Sequence, residues 1–196
     1  SFGSTYTQDF NSLANLGTTN PVTGLPDGWT FLETGSSANT TYAAGTGSDN
    51  GGNTYSFGTA GSGERALGGL LSGSVVPSFG ARFRNNTGLV VQSLNISYTG
   101  EQWRLGTLNR VDRIDFQTSF NATSLSTGTW NDVNDLDFVA PTTTGTPGLL
   151  NGNTGNRTNK SFTITGLSIQ PGADFWIRWT DFDASSSDDG LAVDDF

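Results

Sequence analysis

The sequence predicts an all-β fold, an antiparallel β-sandwich of the jelly-roll type with about eight to ten strands joined by long polar loops. Short runs alternate between apolar and polar residues, and this period of two places one face of each strand on a core. Turn residues recur about every ten positions, and no run has convincing helical periodicity. Because 196 residues is a normal length for one such domain, residues 1–196 are predicted to form a single domain.

Aromatic residues mark the first predicted strands. Phe2, Tyr6 and Phe10 have spacings compatible with one buried face of an opening strand. Trp29 begins a second short strand after two turn signals. A third short strand is expected at 53–58, inside a long stretch of small polar residues.

The strand pattern sharpens after residue 78. Residues 78–84 and 94–98 both alternate between apolar and polar side chains, and Asn-Asn-Thr-Gly at 85–88 is typical of a turn. We therefore predict that these two strands pair as a hairpin. Further strands are predicted within 113–123, 129–138, 161–164, 175–179 and 190–196.

Composition excludes several classes of function. The chain has no Cys and no His, so it offers no disulfide, no thiolate zinc site and no imidazole general base. A net charge of -9 repels phosphate backbones, and we expect no nucleic-acid partner. No apolar run approaches the roughly 20 residues that span a bilayer, so membrane insertion is not expected. The chain begins at Ser1 without Met, and a processed, extracellular protein is predicted.

Acidic residues crowd the closing stretch of the chain. Six carboxylates fall within fifteen residues, at Asp181, Asp183, Asp188, Asp189, Asp194 and Asp195. Oxygen-rich loops of this kind suit a hard divalent cation such as calcium, although the spacing is not that of an EF-hand. A solvated turn is the alternative. Asp194 and Asp195 point to opposite faces of the last strand, so at most one easily joins an inward site.

A second group surrounds Trp103. Glu101, Gln102 and Arg104 flank its ring, and an aromatic face beside hydrogen-bonding groups is how proteins grip sugar rings. The alternative is a core tryptophan, with Arg104 paired to Glu101 or to another acid, Asp112. Trp176 lies on the strand face opposite Trp179, and it is the second candidate for stacking on a sugar.

Four segments together resemble a domain of bacterial secreted and surface proteins, often found with C-terminal anchoring or sorting signals. They are Q-D-F-N-S-L, L-P-x-G-W-x-F, Y-T-G-E-Q-W-R and the closing W-x-D-x6-D-D-G-L-A-V-D-D-F, and the pattern they form extends over most of the chain. The closing G-L-A-V-D-D-F also looks like the last strand of MAM-type and concanavalin-like jelly rolls. That likeness implies a structural calcium shared by Asp9 and Asp194, with Asp188 or Asp189 nearby.

The sequence thus predicts a non-catalytic, extracellular, calcium-stabilised module for adhesion or glycan binding. The expected calcium ligands are Asp9, Asp188, Asp189 and Asp194, and the expected glycan contacts are Trp103, Glu101, Arg104 and Trp176. No carboxylate pair stands out for glycoside hydrolysis. The alternative is a structural subunit of a self-assembling surface filament or layer, in which a free N-terminal strand pairs with a neighbouring copy.

Overall fold

The computed structural model describes residues 5–196, which form fourteen strands in two sheets and two three-residue 3₁₀ turns. The strands are β1 (Asn20–Pro21), β2 (Trp29–Thr34), β3 (Thr41–Gly45), β4 (Asn53–Phe57), β5 (Ala66–Leu70), β6 (Val76–Arg84), β7 (Leu94–Leu105), β8 (Arg113–Ser119), β9 (Asn131–Asp132), β10 (Phe138–Val139), β11 (Gly148–Leu149), β12 (Arg157–Ile164), β13 (Asp174–Asp181) and β14 (Gly190–Asp194). The turns are Val22–Gly24 and Asn134–Leu136. Within these residues no helix is long and apolar enough to cross a membrane.

The two sheets have eight and six strands. The larger has the order β1-β3-β4-β5-β14-β7-β11, with β12 also paired to β7, and the smaller has the order β10-β8-β13-β6-β2, with β9 beside β8. Every pairing is antiparallel except that of β3 with β4. The predicted antiparallel β-sandwich is therefore confirmed. Ten strands have five residues or more and four have only two, so the expected number matches the longer strands.

The main core lies between the sheets and centres on Trp179 of β13, which is completely buried. Its ring stacks on Trp29 at a centroid distance of 6.0 Å and meets the edges of Tyr98 and Phe116, both at 5.1 Å. Trp29 and Phe116 come from the six-stranded sheet and Tyr98 from the eight-stranded sheet. The predicted inward face of 175–179 is thus confirmed, and it joins the two layers.

The predicted hairpin between β6 and β7 is wrong. β6 pairs with β2 and β13 in the six-stranded sheet, whereas β7 lies in the eight-stranded sheet. The connection crosses from one layer to the other, and the buried Asn85 amide donates to the carbonyl oxygens of Leu89 and Ile169 at 2.7 and 2.8 Å. Alternation identifies a strand and its buried face, but it does not identify the neighbouring strand.

The opening segment is also different from the prediction. Residues 5–19 form no strand, and Phe10 has a φ of 53° with its side chain fully buried. Gln8 and Phe196 exchange two backbone hydrogen bonds of 2.7 and 2.9 Å. The closing end is therefore joined to the opening segment by the backbone, and residue 8 is not free to pair with a neighbouring copy. Phe2 lies outside the described residues.

Candidate metal centre

The candidate site lies on the outer face of the eight-stranded sheet, where β14 pairs with β7. Leu191 and Val193 of β14 enter the core between the sheets, so Ala192 and Asp194 point outward. Ala192 faces Glu101 across the strand pair. Because directly opposed residues share a face, Glu101 and Asp194 project on the same side. The strand register therefore brings the two carboxylates together.

A third carboxylate, that of Glu64, joins them from the loop before β5. Carboxylate oxygens of Glu64, Glu101 and Asp194 all lie within 4.8 Å of one another, and we call these residues the carboxylate triad. Glu101 is completely buried, Asp194 is 5% exposed and Glu64 is partly buried. Three negative charges therefore converge where little water can screen them.

The protein satisfies only part of this charge. The Trp103 indole donates to Oε2 of Glu101 at 2.9 Å, and the Asn153 amide donates to Oε2 of Glu64. Oε1 of Glu101 and Oδ1 of Asp194 are buried without a hydrogen-bond partner. The Arg157 guanidinium is 3.9 Å from Oε1 of Glu101, but its side chain is 46% exposed. Two buried oxygens thus remain available to a cation.

Burial has a large effect on proton affinity at the triad. Desolvation raises the pKa of Glu101 to about 7, although the hydrogen bond from Trp103 opposes the increase. Desolvation also raises the pKa of Asp194, and the negative charges of Asp195 and Glu101 add to it. The triad therefore favours a positive partner, either bound protons or a metal ion.

A second acidic group lies elsewhere in the sandwich and consists of Asp112, Asp188 and Asp189. We call it the aspartate cluster. Asp189 accepts from the Gly106 amide at 2.6 Å and from the Gln102 side chain at 2.8 Å. Burial raises the pKa of Asp189 to about 6 despite these donors.

The other two members of the aspartate cluster are also hydrogen-bonded. Oδ2 of Asp112 accepts from the Asp189 amide at 2.7 Å, and the Arg110 guanidinium lies 3.0 Å from the same oxygen. Oδ1 of Asp188 accepts from the Ala184 amide at 3.1 Å. Burial, with the charge of Asp112 added, raises the pKa of Asp188 to about 7. The protein itself supplies donors to these three carboxylates, whereas both carboxylate oxygens of Asp181, whose pKa burial and the charges of the cluster raise, are buried without a hydrogen-bond partner.

The four expected calcium ligands do not form one site. Asp188 and Asp189 belong to the aspartate cluster, and only Asp194 belongs to the triad. Asp9 is exposed and accepts from the Asn11 amide at 3.2 Å. The predicted grouping is wrong. It relied on the closeness of these aspartates in the sequence, whereas the pairing of β14 with β7 separates Asp194 from Asp188 and Asp189 and brings it to Glu101.

The residues expected to contact a glycan have other partners. Trp103 is 1% exposed and stacks on Phe57 with a centroid distance of 6.2 Å, which confirms the core alternative. Gly152 covers its indole so closely that an added Cβ would approach Nε1 to 2.4 Å. Trp176 is 8% exposed and packs with residues of the 120–130 loop. Neither ring offers an open face to a sugar in this structure.

The polar residues beside Trp103 also interact with other parts of the protein. Arg104 donates to the carbonyl oxygens of Gly47 and Ser48 at 3.1 and 3.0 Å, which fixes the loop after β3. The expected pairing of Arg104 with Glu101 or Asp112 is wrong, because Arg157 and Arg110 occupy those positions. Glu101 belongs to the triad rather than to an open groove.

Sequence reasoning missed Glu64. It is one of only three glutamates among 18 acidic residues, and it stands in a loop rich in Gly and Ser just before β5. Neither its spacing nor its neighbours indicate a ligand. Its role follows only from the pairing of β5 with β14, which brings the loop to Asp194.

Comparisons with known proteins give little further information. No protein-family model matches the chain, and no curated protein matches it in sequence. One solved structure, that of TmCBM61 in complex with β-1,4-galactotriose, is 17% identical and covers 69% of this chain and 70% of its own, with a TM-score of 0.30. A likeness at that level carries no argument about the ligand of this chain.

Proposed function

We propose that this chain is a non-catalytic, extracellular β-sandwich module, a single domain over residues 1–196, that calcium stabilises and that serves adhesion or glycan binding. The observation that carries the calcium part is the pair of buried, unpartnered oxygens on Glu101 and Asp194. Leaving such atoms unsatisfied costs about 1–3 kcal/mol each or more when they are charged. A bound cation removes that cost.

Calcium fits the donors better than other common metals do. All three ligands are carboxylates, and the chain has no His or Cys to favour a transition metal. Calcium accepts irregular sets of oxygen ligands, whereas magnesium demands a near-ideal octahedron. Bound there, the ion supplies charge neutralisation, and Glu64, Glu101 and Asp194 hold the β5 loop, β7 and β14 around it.

Thermal unfolding with and without calcium tests this proposal. A ligand that binds only the folded state at 100 times its Kd stabilises it by about 2.7 kcal/mol, so the Tm of the chelator-treated protein should rise on adding calcium. Glu101→Gln and Asp194→Asn should abolish the increase. Asp188→Asn is the matched control, because it removes the same charge from the aspartate cluster and should keep the response. An unchanged Tm in wild type would remove the calcium proposal.

The adhesive or glycan-binding part is tested separately. Support comes from the long polar loops and from aromatic rings that remain exposed, such as Phe120 and Phe182, which are 41% and 39% exposed. A glycan array probed with the whole chain, with calcium and with chelator, should give specific binding that Phe120→Ala or Phe182→Ala weakens. Incubation with the bound polysaccharide should release no product. If no glycan on the array binds the protein, the glycan-binding proposal fails, and the calcium proposal is unaffected.

A further inference from the structure

The eight-stranded sheet ends in an edge that has no neighbour in the part of the chain that the structure describes. β12 pairs with β7 along its whole length, from Arg157 opposite Glu101 to Ile164 opposite Leu94. Among residues 5–196, no strand pairs with its other side. Six of its eight residues are exposed, and it contains no Pro or Gly. Such an edge is a template for another extended strand.

The register shows which backbone groups are free. The Gln102 amide donates to the Asn156 carbonyl at 2.8 Å, so residue 156 is a hydrogen-bonded partner of β7. Groups alternate in direction along an antiparallel strand, so residues 158, 160, 162 and 164 also face β7. The N–H and C=O groups of Arg157, Asn159, Ser161 and Thr163 therefore point away from the sheet.

We propose that a second copy of this chain pairs with β12 in antiparallel orientation, about a two-fold axis at Ser161. In this register the free residues face one another, because Ser161 meets the partner's Ser161 and Asn159 meets the partner's Thr163. The two eight-stranded sheets become one continuous sheet. The interface is isologous, so it closes at two copies and does not extend into a filament.

Charge selects this register over its neighbour. With the axis at Ser161, Lys160 lies opposite the partner's Phe162, and Arg157 lies opposite the partner's Thr165. With the axis at Lys160, the two lysines would face each other at the closest type of pair, and directly opposed like charges are destabilising.

The outer face of β12 is suited to meeting its own copy. Thr99 donates to the Asn159 side chain at 3.1 Å, and Thr163 donates to the Asn95 side chain at 2.7 Å, across the existing pairing with β7. The dimer places Asn159 opposite the partner's Thr163 and repeats this Asn–Thr chemistry twice. The Asn159 and Thr163 side chains, which already pair with side chains of β7, would therefore also pair across the proposed interface.

Other edges of the sandwich are less suitable for strand addition. β1, β9, β10 and β11 have only two residues each, and five of the six residues of β2 are buried or partly buried. Within residues 5–196, β12 is therefore the one long strand that is both unpaired on one side and mostly exposed. The pairing goes beyond the proposed function and does not depend on calcium.

The first experiment measures the mass of the chain by analytical ultracentrifugation over a range of concentrations. The proposal expects a reversible rise from the mass of one chain to that of two, with and without calcium. A single-chain mass up to millimolar concentration would overturn it. Masses that keep growing beyond two would also overturn it, because they indicate an open assembly.

The second experiment tests the register through Phe162, which is 37% exposed. Phe162→Glu places a carboxylate opposite the partner's Lys160 in two symmetric pairs, and Phe162→Lys places a like charge there. The dimer Kd should fall with Glu and rise with Lys, each by roughly twofold to thirtyfold. Equal effects of the two variants would overturn the register.

Three further variants complete the test. Phe120→Glu and Phe120→Lys make the same charge changes at an exposed position in the other sheet's loop, and they should leave the Kd unchanged. Ser161→Pro removes an outward N–H without removing a bond to β7, so it should weaken the dimer while thermal unfolding shows a folded chain. A Ser161→Pro variant that is folded and still dimerises like wild type would overturn the proposal.

Discussion

The carboxylate triad and the aspartate cluster both bury carboxylates, and they differ in how many of the carboxylate oxygens have a hydrogen-bond donor. In the aspartate cluster, Asp112, Asp188 and Asp189 accept hydrogen bonds from backbone amides, and the Arg110 guanidinium lies 3.0 Å from Asp112 and 3.8 Å from Asp188. In the triad, Oε1 of Glu101 and Oδ1 of Asp194 have no hydrogen-bond partner. The three carboxylates of the first group have donors within the protein, whereas two buried oxygens of the second group have none.

This difference has an energetic consequence. Removing one member of a completed buried network leaves its donors unpaired, and the fold loses stability. Removing charge from an incomplete group relieves repulsion, and the metal-free fold gains stability. Truncating Asp112 and neutralising Glu101 should therefore change the stability of the metal-free protein with opposite signs.

The largest effect is expected for Asp112→Ala. It leaves the Arg110 guanidinium, whose side chain is 11% exposed, and the Asp189 amide without their carboxylate. We expect a loss of about 3–5 kcal/mol in the free energy of unfolding, measured by urea denaturation. A loss below about 1 kcal/mol would show that the protein does not depend on this network.

The next effect is expected for Glu101→Gln in metal-free protein. The amide oxygen of Gln can still accept from Trp103, and the substitution removes one of three converging charges. We expect the free energy of unfolding to rise by about 1–3 kcal/mol at pH 8, while the response to calcium disappears. Calorimetric unfolding checks both. Destabilisation of the metal-free variant would contradict the claim that the triad is incomplete.

The aspartate cluster should also make stability depend on pH. Burial raises the folded-state pKa of Asp188 to about 7 from its usual 3.8, so the folded state binds more protons than the unfolded state between these values. Stability therefore falls as pH rises from about 4 to about 7. Asp188→Asn should flatten the profile of Tm against pH. Stability that rises across this range in metal-free protein would contradict the assignment.

The smallest effect is expected for Arg157→Gln. The guanidinium is 3.9 Å from Glu101 and largely exposed, so water and salt screen the pair. We expect a change below about 0.5 kcal/mol in the unfolding free energy, and a retained calcium response in thermal unfolding. If the calcium response were lost in this variant, Arg157 rather than the cation would be the group that neutralises the carboxylate triad.

The sequence predicts the faces of the strands well and their partners poorly. Alternation identified the buried side of β13, because the period of two is a local property of the chain. The hairpin of β6 with β7 was wrong because the 85–93 connection crosses between layers, and nothing local distinguishes a crossing from a turn.

The same limit applies to the candidate site. Asp194 and Glu101 were both singled out from the sequence, but for different roles, and Glu64 was not singled out at all. Their convergence depends on β14 lying between β5 and β7, which is a property of the whole sheet. The dense run at 188 and 189 was the stronger sequence signal, yet those residues fold against loop amides and Gln102.

A crystal structure of the protein grown with calcium is the decisive test of the metal site. We expect one ion among the three carboxylates, with Oε1 of Glu101 and Oδ1 of Asp194 at about 2.3–2.6 Å from it. Clear density showing no ion, with the carboxyl groups of Glu64, Glu101 and Asp194 hydrogen-bonded directly to one another, would contradict it. Protons rather than calcium would then complete this site.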